Sequence, residues 1–74
     1  MVKEFEATRT LNELELMIDG AADFATQQLV SEVMRAAVAD CGDDAVRDNS
    51  AVEDARVMLP DGGMRIDVKV TVEV

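Results

Sequence analysis

From Met64 onward the final eleven residues alternate without a break. Met64, Ile66, Val68, Val70, Val72 and Val74 fall on one side of the pattern, and Arg65, Asp67, Lys69, Thr71 and Glu73 on the other. A period of two sends successive side chains to opposite faces of a strand. One face then meets a core and the other meets water, as is usual in antiparallel sheets. The β-branched content agrees. Upstream, Ala55, Val57 and Leu59 alternate with Arg56 and Met58, which places Met58 on an outer face. Between the two runs stands Pro60-Asp61-Gly62-Gly63. Proline presets φ for a turn, and Asp-Gly tolerates positive φ. The pattern predicts a β-hairpin made of 53–59 and 64–74. A rival signal, the capping box Ser50-Ala51-Val52-Glu53, has fewer residues behind it.

The middle of the chain reads as helix. Ala21 to Cys41 contains neither Gly nor Pro and is rich in Ala, Leu, Met, Gln and Glu. Ala25, Leu29, Val33 and Ala36 form an apolar stripe, and Val30, Met34, Val38 and Cys41 widen it. An arc this wide suits a helix that covers two surfaces. Glu32 and Arg35 form an i, i+3 pair on the polar side. Gly42 is a natural stop.

Residues 11–19 fit two patterns. As a strand, Leu14, Leu16 and Ile18 alternate with Glu13, Glu15, Met17 and Asp19. As a helix, Leu11, Leu14, Met17 and Ile18 share a face and only Leu16 is misplaced. Propensity favours the helix, and Thr10-Leu11-Asn12-Glu13 fits a capping box. A straight helix from 11 to 40 would be about 45 Å long, too long for so small a chain. It should therefore bend at Gly20 or be shared with a second subunit. Residues 2–9 read as a strand with Lys3, Phe5 and Ala7 on one side.

These elements add up to an α+β fold in a single small domain, 1–74. A small antiparallel sheet of three strands, or four if 13–18 runs extended, includes the C-terminal hairpin. It packs on a long helix or a helix pair kinked at Gly20. There is no internal repeat, no low-complexity run and no linker that would divide the chain.

Composition narrows the function. Leu, Ile, Val and Phe make up 20 of the 74 residues, more than disordered chains usually carry. Below about 80 residues one core rarely leaves more than about 3–5 kcal/mol of stability, which favours oligomers or docking on a partner. Sixteen Asp and Glu against seven Lys and Arg give a net charge of −9. Direct binding to nucleic acid or to an anionic membrane is set aside, because phosphate contacts need Lys and Arg. No apolar run approaches the 18 or so residues of a membrane span, and Val2-Lys3-Glu4-Phe5-Glu6 does not open a signal peptide. One cysteine allows no internal disulfide and fits a reducing, cytoplasmic setting.

The chain has no His, Trp or Tyr. That removes the commonest general base and the commonest transition-metal ligand, and leaves Ser, Thr and Cys without a His to activate them. Gly62-Gly63 lies in a hairpin turn and has no Gly-Lys-Ser/Thr after it, so no phosphate loop is present. Cys41 lacks the cation or helix N-terminus that makes a thiol reactive, and reads as a small apolar residue closing the helix. Neither catalytic residues, metal ligands nor a cofactor site are assigned, and the chain reads as a non-enzyme.

The most unusual stretch is 40–54, with six carboxylates and one cation. As local structure it reads as a solvated loop, since Asp, Asn, Ser and Gly favour turns. As a calcium loop it fails. Counting from Asp43, position six is Asp48 and position twelve is Asp54, where an EF-hand needs Gly and Glu. As a binding surface it offers densely spaced carboxylates that would be relieved by a cationic partner. Such spacing imitates a phosphate backbone and draws a basic groove into fast, salt-dependent association. The residues assigned to that role are Asp43, Asp44, Asp48, Glu53 and Asp54.

In general character of composition the chain resembles small accessory proteins that act by binding, among them phage-borne inhibitors of host defence systems. The net charge of −9 and the cluster at 40–54 point to an inhibitor that blocks a basic, nucleic-acid-binding partner by charge mimicry. The alternative is a structural homodimer without mimicry. In that reading the last strand's free edge pairs with a second copy, and Arg65, Asp67, Lys69 and Glu73 place opposite charges across from one another.

Overall fold

The strand with the unbroken alternation is the centre of the sheet. A computed structural model describes residues 1–74 and gives, in order, β1 (Val2–Leu11), α1 (Glu13–Leu16), α2 (Ala21–Cys41), α3 (Asp43–Asn49), β2 (Ser50–Met58) and β3 (Met64–Glu73). The sheet order is β1-β3-β2 with both pairings antiparallel. The α+β class, the C-terminal hairpin and the long helix are all present. There are three strands and no fourth.

Position explains why β3 is so regular. A central strand is buried along one whole face, which demands an apolar residue at every second place. Ile66, Val68, Val70 and Val72 are its core residues and are almost fully buried. Each contributes about 1.5–3 kcal/mol relative to exposure. Leu11 of β1, Ala25, Leu29, Val33 and Ala37 of α2, and Val46 of α3 complete the core. The apolar stripe of α2 therefore ends at Ala37, and Ala36 is exposed. Val30, Met34, Val38 and Cys41 pack beside it, half buried. α2 lies over β3 and β1 and leaves β2 largely uncovered.

Four expectations are corrected by this arrangement. First, β3 is paired on both sides and has no free edge to offer a second copy. Second, the even positions of β2, not the odd ones, share the helix side with the core residues of β3. Met58 stands opposite Met64, Arg56 opposite Ile66 and Asp54 opposite Val68. The turn sets this register. Leu59 N–H donates to Gly63 O at 2.9 Å, and Gly63 N–H donates to Asp61 Oδ1 at 2.8 Å. A Cβ on Gly63 would stand 2.7 Å from the Leu11 carbonyl oxygen, so β1 holds the turn from the other side.

Third, the run 11–19 is divided. Leu11 closes β1 opposite Met64 and is buried. Asn12 then caps α1: Glu15 N–H donates to Asn12 Oδ1 at 2.8 Å, and Asn12 N–H donates to Glu15 Oε1 at 3.0 Å. The capping box is thus 12–15 rather than 10–13. The break expected at Gly20 is present: its φ is 77°, and α1 and α2 are separate helices. Fourth, 40–54 is not a loop. Gly42, at φ 93° and ψ 154°, ends α2 and begins α3 at once, and such a φ is open chiefly to glycine. Residues 50–54 are already β2, where Ser50 Oγ–H donates to the Val46 carbonyl rather than capping a helix.

No helix is long and apolar enough to cross a membrane.

Candidate interaction site

The five assigned carboxylates lie on three surfaces. Asp43 and Asp44 stand in the first turn of α3, where the helix dipole favours negative charge, and Asp48 follows one turn on from Asp44. Asp43 is bound by Arg47 of the same helix. Glu53 stands opposite Lys69 on the face of the sheet away from α2. Asp54, opposite the core residue Val68, stands on the helix side. The structure brings Asp43, Asp44 and Asp48 together and sends Glu53 and Asp54 to opposite faces of β2.

The positive charges are mostly occupied within the fold. Ion pairs join Lys3 to Asp40 at 2.9 Å, Arg56 to Asp23 at 2.9 Å, Arg65 to Asp67 at 3.2 Å and Lys69 to Glu4 at 3.2 Å. With Arg47 and Asp43 this engages five of the seven cations. Arg9 donates to Gln28 Oε1 at 2.8 Å. Eleven of the sixteen carboxylates have no cationic partner. The surface therefore shows a partner carboxylates almost everywhere and available cations almost nowhere.

On the open face of the sheet the rows are mixed. Glu6, Lys69 and Glu53 stand side by side across β1, β3 and β2, and Thr8, Asp67 and Ala55 form the next row. They border a shallow depression of about 350 Å³. Lys69 is held above its usual pKa by its bond to Glu4 first and then by the charges of Glu4, Glu6 and Glu53. Asp67 is held below the usual aspartate range, chiefly because Thr8 Oγ1–H donates to it at 2.7 Å. Lys3 is raised by its hydrogen bond to Asp40. All three side chains are half buried at the surface, and each shift is accounted for by an ion pair or a cross-strand bond.

The strongest anomaly is apolar, and it lies at the corner where α1 meets α2. Leu14, Met17, Ile18 and Phe24 are between 62 and 75% exposed. The capping box explains the inversion. With α1 starting at Glu13, Leu16 turns into the core, while Leu14 and Met17, three residues apart, turn out together. The residue that looked misplaced in a helix is thus the one that packs. Ile18 and Phe24 line a depression that reaches the core residues Leu11 and Ala25, with Arg9, Glu15 and Asp19 at its border. Glu13, Glu15, Asp19 and Asp23 are interleaved with the four apolar residues in the chain. The signal in the sequence is Asn12-x-x-Glu15, a capping box that competes with Thr10-x-x-Glu13 and starts the helix two residues later.

No group of three Cys, Asp or Glu side chains is placed to hold a metal ion. Every buried side-chain polar atom has a hydrogen-bond partner. Cys41 is half buried against the core, its thiol directed at Asp40 Oδ2 at 4.0 Å. In comparisons with known proteins, no family model, no characterised protein and no solved structure matches the chain.

Proposed function

We propose that the chain is a non-enzymatic binding module that docks on a basic, nucleic-acid-handling protein and inhibits it by occupying the surface where nucleic acid would bind. The observation that carries the reading is the corner formed by Leu14, Met17, Ile18 and Phe24, four large apolar side chains left in water beside carboxylates. Exposed apolar groups of this kind mark protein-binding sites, and an aromatic is a frequent anchor. The charge supports the nature of the partner. Eleven unpaired carboxylates attract a cationic surface and repel phosphate. In this reading the carboxylates of α3, with Glu53 of β2, speed the encounter and imitate phosphates, and the apolar corner holds the complex.

Two variants separate these roles. Phe24→Ala with Met17→Ser removes the anchor. Asp44→Asn, Asp48→Asn and Glu53→Gln together remove charge and leave the Asp43–Arg47 pair in place. The protein is immobilised, a partner is captured from bacterial lysate, and that partner is then titrated with each variant in rising salt. The anchor variant is expected to raise Kd at least about tenfold, mainly through dissociation, and the charge variant to slow association and flatten its salt dependence. Duplex DNA or RNA should displace the wild type. A partner that binds both variants as tightly as wild type, or that nucleic acid fails to displace, would overturn the reading.

A further inference from the structure

The sheet has two edges, and they are treated differently. α2 covers the helix side of β1, where Phe5 and Ala7 pack against the core. Eight of the nine residues of β2 are exposed, on both faces. Proteins normally blunt a long edge with charged side chains, proline, a bulge or a covering element. β2 has only the first of these, in Glu53, Asp54 and Arg56; it contains no proline, its register with β3 runs unbroken from Ser50 to Met58, and α2 does not cover it.

The turn shows which groups the edge presents. Leu59 donates to Gly63 across the hairpin. Hydrogen-bonded and non-hydrogen-bonded pairs alternate along an antiparallel ladder. Val57, Ala55, Glu53 and Ala51 therefore bond to β3, and Val52, Asp54, Arg56 and Met58 turn their N–H and C=O groups to the free edge. The side chains of these same even residues lie on the helix side.

We infer that β2 is the seam of a homodimer, pairing antiparallel with β2 of a second copy about a twofold axis at Ala55. In this register Asp54 faces the second copy's Arg56, and Arg56 faces its Asp54. Val52 faces Met58, and Met58 faces Val52. The sequence of one strand is thus complementary to itself in both charge and apolarity. Neighbouring registers lose this match. Centring on Asp54 sets two aspartates together, centring on Arg56 sets two arginines together, and centring on Glu53 sets two glutamates together. β1 has no such match, because its outward positions carry only Glu4 and Glu6 as charges. Arg56 is already held on the helix side by Asp23 at 2.9 Å and Thr26 at 3.1 Å. It meets the second copy's Asp54 from a fixed position. The product is a continuous six-stranded sheet with both long helices on one side. The inference does not depend on the proposed partner.

Light scattering tests the assembly. The wild type at about 100 μM is expected at about 16 kDa, twice the 8.0 kDa chain. Asp54→Arg alone and Arg56→Asp alone should each scatter as monomers, with circular dichroism showing that each is folded. Mixed in equal amounts, they should recover the dimer mass, because each seam pair is again Arg against Asp. In a Cys41→Ala background, Ala55→Cys should be trapped as a disulfide dimer by mild air oxidation. The axis pair is non-hydrogen-bonded, with Cα atoms about 4.5 Å apart, within disulfide range. Val57→Cys should not be trapped, because its own counterpart lies four residues away across the seam. A monomeric wild type, or a dimer that Asp54→Arg leaves intact, would overturn the inference.

Discussion

Asp67 shows how much a single side chain depends on a neighbour that no local pattern reveals. The alternation of β3 places it on the water face, but its partner Thr8 lies 59 residues away on β1. Their bond is the main reason that the Asp67 carboxyl is held below the usual range, with Arg65 adding to it. A carboxyl whose pKa is lowered by folding contributes stability above its unfolded pKa. That contribution is lost as pH falls through the folded value, below about 4. Thr8→Val keeps the strand's shape and removes the donor. The Asp67 titration, followed by side-chain carboxyl NMR from pH 2 to 6, should move upward toward the ordinary aspartate value. A midpoint that stays put would mean that Arg65 and not Thr8 governs the carboxylate. Lys69 follows the opposite sign: raised by Glu4, it contributes below its unfolded pKa and ceases to do so as pH climbs past its folded one.

At the scale of elements, the regular ones were legible and the short ones were not. β3, the hairpin and the span of α2 follow from periodicity because each repeats its signal over nine or more residues. The boundary between β1 and α1 is a contest between two spacings of the same kind, Thr10-x-x-Glu13 and Asn12-x-x-Glu15. It is decided by the pairing of Leu11 with Met64, far away in sequence. The same kind of distant pairing sets which side of β2 faces α2, and hides the division of its acidic residues between two faces. The number of carboxylates was plain from composition, but their grouping depends on α3 forming and on the turn at 59–63. α1 has only four residues and lives by its cap. Asn12→Ala should therefore cost about 1 kcal/mol, lowering Tm by roughly 4–8 °C for a chain of this size. The melting curve followed by circular dichroism measures this directly. An unchanged Tm would show that Leu16 packing alone holds α1 in place.

For the whole molecule the governing quantity is the charge of −9 on a body of 40 × 19 × 15 Å. Two opposed contributions depend on salt. The five ion pairs favour the fold and weaken as salt rises, but exposed pairs of this kind are worth only about 0–1 kcal/mol each. Repulsion among the eleven unpaired carboxylates opposes the fold and is also screened. The Debye length shrinks from about 30 Å at 0.01 M salt to about 10 Å at 0.1 M, so over an extent of 40 Å this repulsion acts in full only when salt is scarce. Pairs in contact at about 3 Å lose less on screening than charges spread over the surface. Repulsion should therefore win. Raising NaCl from 10 to 500 mM at pH 7 is expected to stabilise the fold by about 1 kcal/mol and so raise Tm by roughly 4–8 °C. Chloride is the proper probe here, since sulfate would strengthen apolar burial as well. Calorimetry at fixed protein concentration holds any self-association constant. A Tm that falls with added NaCl would show that Lys3–Asp40, Arg56–Asp23 and their like outweigh the repulsion. The acidity would then be matched to this fold rather than tolerated by it.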